Sequence, residues 1–332
     1  MIDTETREVK ERRLAHIEEE FSEFIGGRTG ARMVMESCRD WSRTYELSEG
    51  LVEGVILAHP LKVKAIASAK IKTDAIDSWT LAQLLMADLI PQAYLRKGDN
   101  RVEQLVIRHR AFMLVTRTRV QSRIHGLVDS QLLPPEVLQA KPINLFSKEG
   151  MNWLTSLEWA KEKDKRLVEP HLRVMEAINQ EISITNGMVK GIYEKDGNAQ
   201  LLTTIPGIGT TLGMLISTEI DTIERFHAPS KLSSCAGLVP STHSSGGKTY
   251  HGRIISERNR WLRWALVEVA VPASYADAEI KERFDTLRKK KGANVAKTAM
   301  SRWLLEVVYH VLKERPPYIT AHNNMAKAGA AF

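Results

Sequence analysis

The chain has 332 residues, 43% of them hydrophobic, which is too long for one ordinary domain and apolar enough to give two or three domains a core. Its 47 Lys and Arg against 40 Asp and Glu leave a net charge of +7, a modest excess that suits polyanionic partners without the basicity of a ribosomal protein. Two cysteines far apart, Cys38 and Cys235, match no disulfide framework or zinc spacing, and no stretch has the roughly 18 apolar residues of a membrane span or the apolar core of a signal peptide, so a soluble, cytoplasmic protein is expected.

Residues 1–95 read as an α/β domain. "DTETR" predicts a turn and "REVKERRLA" an extended segment after it, while "ARMVMES" and "VEGVILA" have the length and apolar run of buried strands. "KTDAIDSWTLAQLLMADLI" has helical spacing, with Ile76, Leu81, Leu84 and Leu85 available to a core. Asp74 and Asp77, three apart, lie on one face of that helix behind a lysine-rich approach, "KVKAIASAKIK". Glu36, closing the first apolar strand, is positioned to join them in an oxygen-only site for Mg²⁺ or Mn²⁺, of the kind that clamps a phosphodiester; a solvated acidic first turn stabilising the helix N-terminus is the commoner explanation of such an Asp pair taken alone.

Residues 96–195 turn helical. Val106, Met113, Val120 and Leu127 repeat every seven residues, and Met175, Ile178, Ile182, Val189 and Ile192 keep a three-and-four spacing, which predicts a coiled-coil hairpin turning within "SQLLPPEVLQAKPINLFSKEG". Arg108, Arg119 and Arg123 share one side of the first helix, as a solvated face or as a phosphate-contacting one.

Residues 196–332 open with "LLTTIPGIGTTLGMLISTEI". Two helical segments joined by Pro206-Gly207-Ile208-Gly209 read as a helix-hairpin-helix, whose Gly207 and Gly209 would admit a phosphate to the next helix's free N–H groups, or as a plain inter-helix turn. Further on, "SSGGK" exposes hydroxyls in a tight turn, followed by Lys248, Arg253, Arg258, Arg260 and Arg263. A serine among fixed cations can attack a phosphodiester, although serine and glycine are also what any tight turn needs.

Together, Glu36 in "VMES", "KTDAID", "IPGIG", "RF", "LSSCAGLVP", "SSGGK" and "RNRWLRWAL" resemble, in order and spacing, the transposases of the insertion-sequence 110 family, which includes the Piv-type DNA invertases. The resemblance covers nearly the whole chain. It implies a RuvC-like, RNase H-fold domain with a DEDD carboxylate set, a coiled-coil linker and a C-terminal transposase domain with a nucleophilic serine. It also implies a recombinase acting on donor and target DNA, guided by a bridge RNA and working as a homo-oligomer, dimer or tetramer. Carried over, the carboxylates are Glu36, Asp74 and Asp77, and the serine is Ser245 with Ser244 next to it; Gly207, Gly209, Lys248, Arg258, Arg260 and Arg263 are expected on DNA. One departure stands out: the family's first strand, bearing the first aspartate, is not seen upstream of "MIDTETREVKERRLA", and Asp3 reads as a turn residue rather than a ligand. Either Met1 is an internal start of a longer reading frame or the copy is decayed, and a non-catalytic DNA- or RNA-binding remnant is the alternative function.

Overall fold

The computed structural model describes all residues except 29, 39–40, 68–72, 97, 132, 158–161, 246, 255–257 and 319–332. It divides into two compact units, Met1–Arg96 and Lys97–Phe332.

In the first unit the polar N-terminus folds on itself. Asp3 Oδ1 accepts from the backbone N–H groups of Glu5 at 2.9 Å and Thr6 at 2.7 Å, the Asx pattern of a turn residue. The segment expected to be extended contributes one bridge, Ile2 to Val9, rather than a strand. After α1 (Glu18–Ile25) come β1 (Arg32–Glu36), the crossover helix α2 (Trp41–Ser48) and β2 (Gly54–Ala58), with the strands parallel and in register from Arg32↔Gly54 to Glu36↔Ala58. Alternation sends Met35 and Leu57 to one face, where they pack with Tyr45 of α2. Val34 and Ala58 face the other way, packing with Val63 of α3 (Pro60–Ile66) and Leu81 of α4 (Asp74–Met86). Among the four side chains of α4 expected to face a core, Leu81 and Leu85 are buried and Leu84 is partly buried; Ile76, in the solvent-facing first turn, is exposed. Among the described residues this sheet has two strands, so its outline is α/β but does not single out an RNase H fold.

The second unit is built on two long helices, α5 (Asp99–Asp129) and α8 (Glu162–Tyr193). They run antiparallel, since Arg110 meets Asn186 while Arg117, two turns on, meets Asn179, two turns back. On α8 the expected Met175, Ile178, Ile182 and Val189 are buried. On α5 the expected Val106, Met113, Val120 and Leu127 are only half-buried, and the buried apolar residues are Ile107, Ala111, Ile124 and Val128. Two frames of α5 carry apolar residues, and the one with β-branched and small side chains packs closest. The connection holds α6 (Pro135–Gln139) and α7 (Lys148–Ser156); Leu145, between them, and Leu154, on α7, are buried with Ile124, Val128 and Met175.

At the near end α9 (Gly197–Leu202), α10 (Thr210–Ile220), α11 (Pro229–Cys235), α12 (Arg260–Ala276), α13 (Ala278–Lys291) and α14 (Ala293–Glu314) share one core with Ile107 and Val189. The helical hairpin and the C-terminal region therefore belong to one unit. Residues 213–220 of α10 are buried on every side, as expected for an apolar helix at the centre of a bundle. The C-terminal domain, expected to be helical with a turn at Ser244–Ser245, also carries an antiparallel hairpin, β3 (Pro240–Ser245) and β4 (Lys248–Ile254). "PSTHSS" and "KTYHGRI" carry little apolar alternation, so only the glycines between them announce a turn.

Candidate nucleic-acid interface and serine hairpin

Ser245 ends β3 and pairs directly with Lys248, the first residue of β4, across a two-residue loop whose Gly247 has φ +75°, a conformation open to glycine. Ser244 pairs with Thr249. Successive strand residues point to opposite faces, so Ser244 and Ser245 cannot serve one approach, and Ser245 is the one that shares a face with Lys248. Both serines and Lys248 are exposed. Gly246 and the side chain of Arg253 lie outside the described residues.

After the hairpin in sequence, Arg258, Arg260 and Arg263 flank the start of α12. Arg263 donates Nη1–H to the Gly237 carbonyl at 2.6 Å. Gly237 holds φ +65°, and a Cβ there would meet Arg258 Cβ at 2.5 Å, so the stem of Arg258 lies over this glycine. Burial, then the nearby positive charge of Arg258, holds the Arg263 guanidinium below its usual pKa. Cations near a helix N-terminus oppose the macrodipole, and Arg258 and Arg263 also oppose each other, so the arrangement gains from an anion.

Asn259, between the arginines, caps α12 by accepting from the N–H groups of Trp261 and Leu262. Its amide donates to Glu219 Oε2 at 2.7 Å. Glu219, fully buried on α10, also accepts from Gln104 Nε2 at 3.0 Å and from Arg108 through Nε at 2.6 Å and Nη2 at 2.8 Å. Arg108 is thus neither on a solvated face nor free for phosphate; it pairs with a buried carboxylate, which ties α5 to the start of α12. Arg119 and Arg123 remain exposed. The "RF" pair closes the other end of α10: Arg225 donates to the carbonyls of Ile220 and Glu219 and stacks on Phe226 at 4.3 Å.

The Pro206–Gly209 segment does join α9 to α10. Gly207 has φ +83°, and a Cβ there would lie 2.6 Å from the Ala273 backbone nitrogen, so this glycine admits α12 to the turn. Gly209 differs: it is exposed, its Cβ direction is open, and it precedes α10 without a side-chain cap. Of the two glycines expected on phosphate, Gly209 is open to a ligand and Gly207 is packed.

In the first unit, Arg32 at the start of β1 bonds the Leu85 carbonyl in the last turn of α4 and Asp88 just beyond it, while Val34 packs with Leu81. The helix therefore runs antiparallel to the strand. Two strand residues rise about 6.6 Å and four helical residues about 6 Å, so Glu36 lies toward the turn carrying Asp74 and Asp77. Thr73 caps that turn, its Oγ1 accepting from Ile76 N–H at 3.2 Å. Among the described residues, however, no group of three or more His, Cys, Asp or Glu is placed to hold a metal ion. The three carboxylates share an end of the sheet without closing on one point, and Lys70 and Lys72 of their approach lie outside the described residues.

No described helix is long and apolar enough to cross a membrane. Residues 199–285, from α9 into α13 and including the serine hairpin and the arginines, match the model described as the transposase IS116/IS110/IS902 family. The chain is 23% identical over 296 residues to the transposase for insertion sequence element IS1111A of Coxiella burnetii, across 86% of this chain and 79% of that protein. It is 22% identical over 295 residues to a probable family 20 transposase of Pseudomonas aeruginosa, across 86% and 85%. A pilin gene-inverting protein of Moraxella bovis is 30% identical over 128 residues, 38% of this chain and 40% of that one. In the match at residues 199–285 and in the relatives that extend it along the chain, this protein resembles transposases of the IS116/IS110/IS902 family.

Proposed function

We propose that the protein is a DNA recombinase of the transposase type that cuts and rejoins strands through Ser245. The observation that carries this reading is the pairing of Ser245 with Lys248 at an exposed hairpin tip, which the opposed arginines Arg258 and Arg263 follow in sequence. The Ser245 oxygen would attack a backbone phosphorus, forming a phosphoserine ester and breaking one phosphodiester bond. The leaving oxygen departs as a hydroxyl, taking up a proton to balance the one serine gives up. Attack by a second strand's hydroxyl then reverses both changes, so the exchange needs no outside energy source. Lys248, Arg258, Arg260 and Arg263 supply fixed positive charge for the phosphate, and the open N-terminus of α10 at Gly209 supplies N–H donors.

Donor and target DNA are the substrates in this reading, with a structured bridge RNA as guide and a homo-oligomer as the working form; the net charge of +7 supports a polyanionic partner but does not choose between DNA and RNA. The same reading assigns Mg²⁺ or Mn²⁺ to Glu36, Asp74 and Asp77, whose side chains would first have to swing together; no step above depends on that ion. The separation of these carboxylates favours a second reading, a protein that binds nucleic acid without cutting it.

Covalent trapping on a nicked or strained DNA substrate separates the two. The recombinase gives a protein–DNA adduct that survives denaturation, persists in Ser244→Ala and is absent in Ser245→Ala. An adduct that Ser245→Ala still forms would rule out this nucleophile, and binding without any adduct would establish the second reading.

A further inference from the structure

The face of the hairpin that carries Ser245 and Lys248 also carries an aromatic ring. Alternation along β4 puts Lys248, Tyr250 and Gly252 on one face, and the direct pairing of Ser245 with Lys248 puts the serine there too. Tyr250 is 62% exposed. Tyrosine is a common strand residue because its ring packs against neighbours on the pleated surface, yet this one joins none of the apolar clusters formed by the described residues. Gly252, the next residue on that face of β4, is exposed and brings no side chain to cover the ring. Beside the serine and the lysine there is thus a large apolar surface with no packing role in the fold.

We propose that Tyr250 is a stacking platform for an unpaired DNA base next to the phosphate that Ser245 attacks. Ser245 and Tyr250 are diagonal neighbours across the ladder, a relation that sets side chains about 7–8 Å apart. A stacked strand rises about 3.4 Å per nucleotide, so a ring at that distance reaches a base about two nucleotides from the attacked phosphate. A base inside a duplex already has a neighbour on each side, and only one that has left its stack can offer a face to tyrosine. Strand exchange creates such bases, because a strand that is rejoined to a new partner must first leave the old one. Stacking on an aromatic ring holds the freed base without asking for a particular sequence, since every base has a π-face. Lys248, between the serine and the tyrosine on the same face, neutralises the backbone that links phosphate and base. The inference rests on the Ser245 reading and deepens it: the substrate at this site is DNA already unpaired at the cut.

The test uses the full chain with Ser245→Ala, so that binding is read without adduct formation, and titrates it with a short mixed-sequence single-stranded DNA and with the corresponding duplex. Adding Tyr250→Ala should weaken the single strand about tenfold and the duplex less than about twofold, whereas Tyr250→Phe and Tyr250→Trp should bind both as before. Independently, the same single strand with 5-iodouracil in place of thymine, irradiated in complex with the chain that keeps Tyr250, should give a crosslinked peptide containing Tyr250. Unchanged single-strand affinity in Tyr250→Ala, an equal loss on the duplex, or a crosslink that maps only elsewhere overturns the proposal. A loss in Tyr250→Phe as large as in Tyr250→Ala also overturns it, because the hydroxyl rather than the ring would then be the binding group. If Tyr250→Ala alters the circular-dichroism signal, the crosslink decides. Neither readout involves the Ser245 hydroxyl, so failure of the stacking site is distinct from failure of the nucleophile, which the covalent trap reports.

Discussion

Arg108 grips Glu219 by two parallel bonds, Nε to Oε1 at 2.6 Å and Nη2 to Oε2 at 2.8 Å, and the glutamate side chain is wholly buried while that of the arginine keeps about a third of its surface. Removing the arginine takes the bidentate partner from a buried acid. Arg108→Ala should therefore cost about 3–5 kcal/mol, lowering the thermal midpoint by roughly 10 °C. Replacing both partners by apolar residues of similar size, Arg108→Met with Glu219→Leu, should recover much of that loss. A single variant that melts like wild type would show that the pair contributes nothing.

Gly207 and Gly209 should separate by assay. Gly207→Ala places a Cβ 2.6 Å from the Ala273 nitrogen at φ +83°, and strain of this kind costs about 1–3 kcal/mol before any overpacking. Gly209→Ala meets nothing within 4 Å and should leave the midpoint within about 1 °C. If Gly209 lies on phosphate, its substitution should instead weaken DNA binding in a filter or fluorescence titration. Equal destabilisation by both changes would contradict the geometry.

The arginines at α12 should differ in the same way. Arg258→Ala removes an exposed cation, which should weaken binding uniformly across DNA sequences and reduce the slope of log affinity against log salt by about 1. Arg263→Ala should also lower the melting temperature, because its hydrogen bond to the Gly237 carbonyl is lost. An unchanged salt slope in both variants would remove these residues from the interface.

Asp196 predicts a purely structural defect. Its Oδ1 caps α9 by accepting from Asn198 and Ala199 N–H groups, and its Oδ2 accepts from Ser217 Oγ at 2.7 Å on α10. Asp196→Ala should cost about 1–2 kcal/mol by chemical denaturation with no loss of Ser245 adduct in the trapping assay.

Much of this architecture was readable because short-range patterns decide it. The turn at Asp3, the strands ending at Glu36 and Ala58, the helix opening at Asp74 and the break at Pro206–Gly209 each follow from a few neighbouring residues. Glu219 was missed because its partners stand 40 to 115 positions away. One signal was present: an acid at a core position of "GMLISTEI" needs a buried counter-charge. The hairpin bearing Ser245 escaped because both strands are too polar for an alternation pattern. The buried face of α5 escaped because apolar residues occupy two adjacent heptad frames, and choosing between them depends on shape against α8.

Gly237 makes the distance between two guanidinium groups a property of the main chain. Its carbonyl fixes Arg263 and its bare Cα seats the stem of Arg258, so one glycine touches both arginines. An added methyl would wedge them apart without touching either charge. This single position is therefore a dial for charge spacing: enlarging it would alter the fit to a phosphate backbone while net charge, and with it long-range attraction to polyanions, stayed the same.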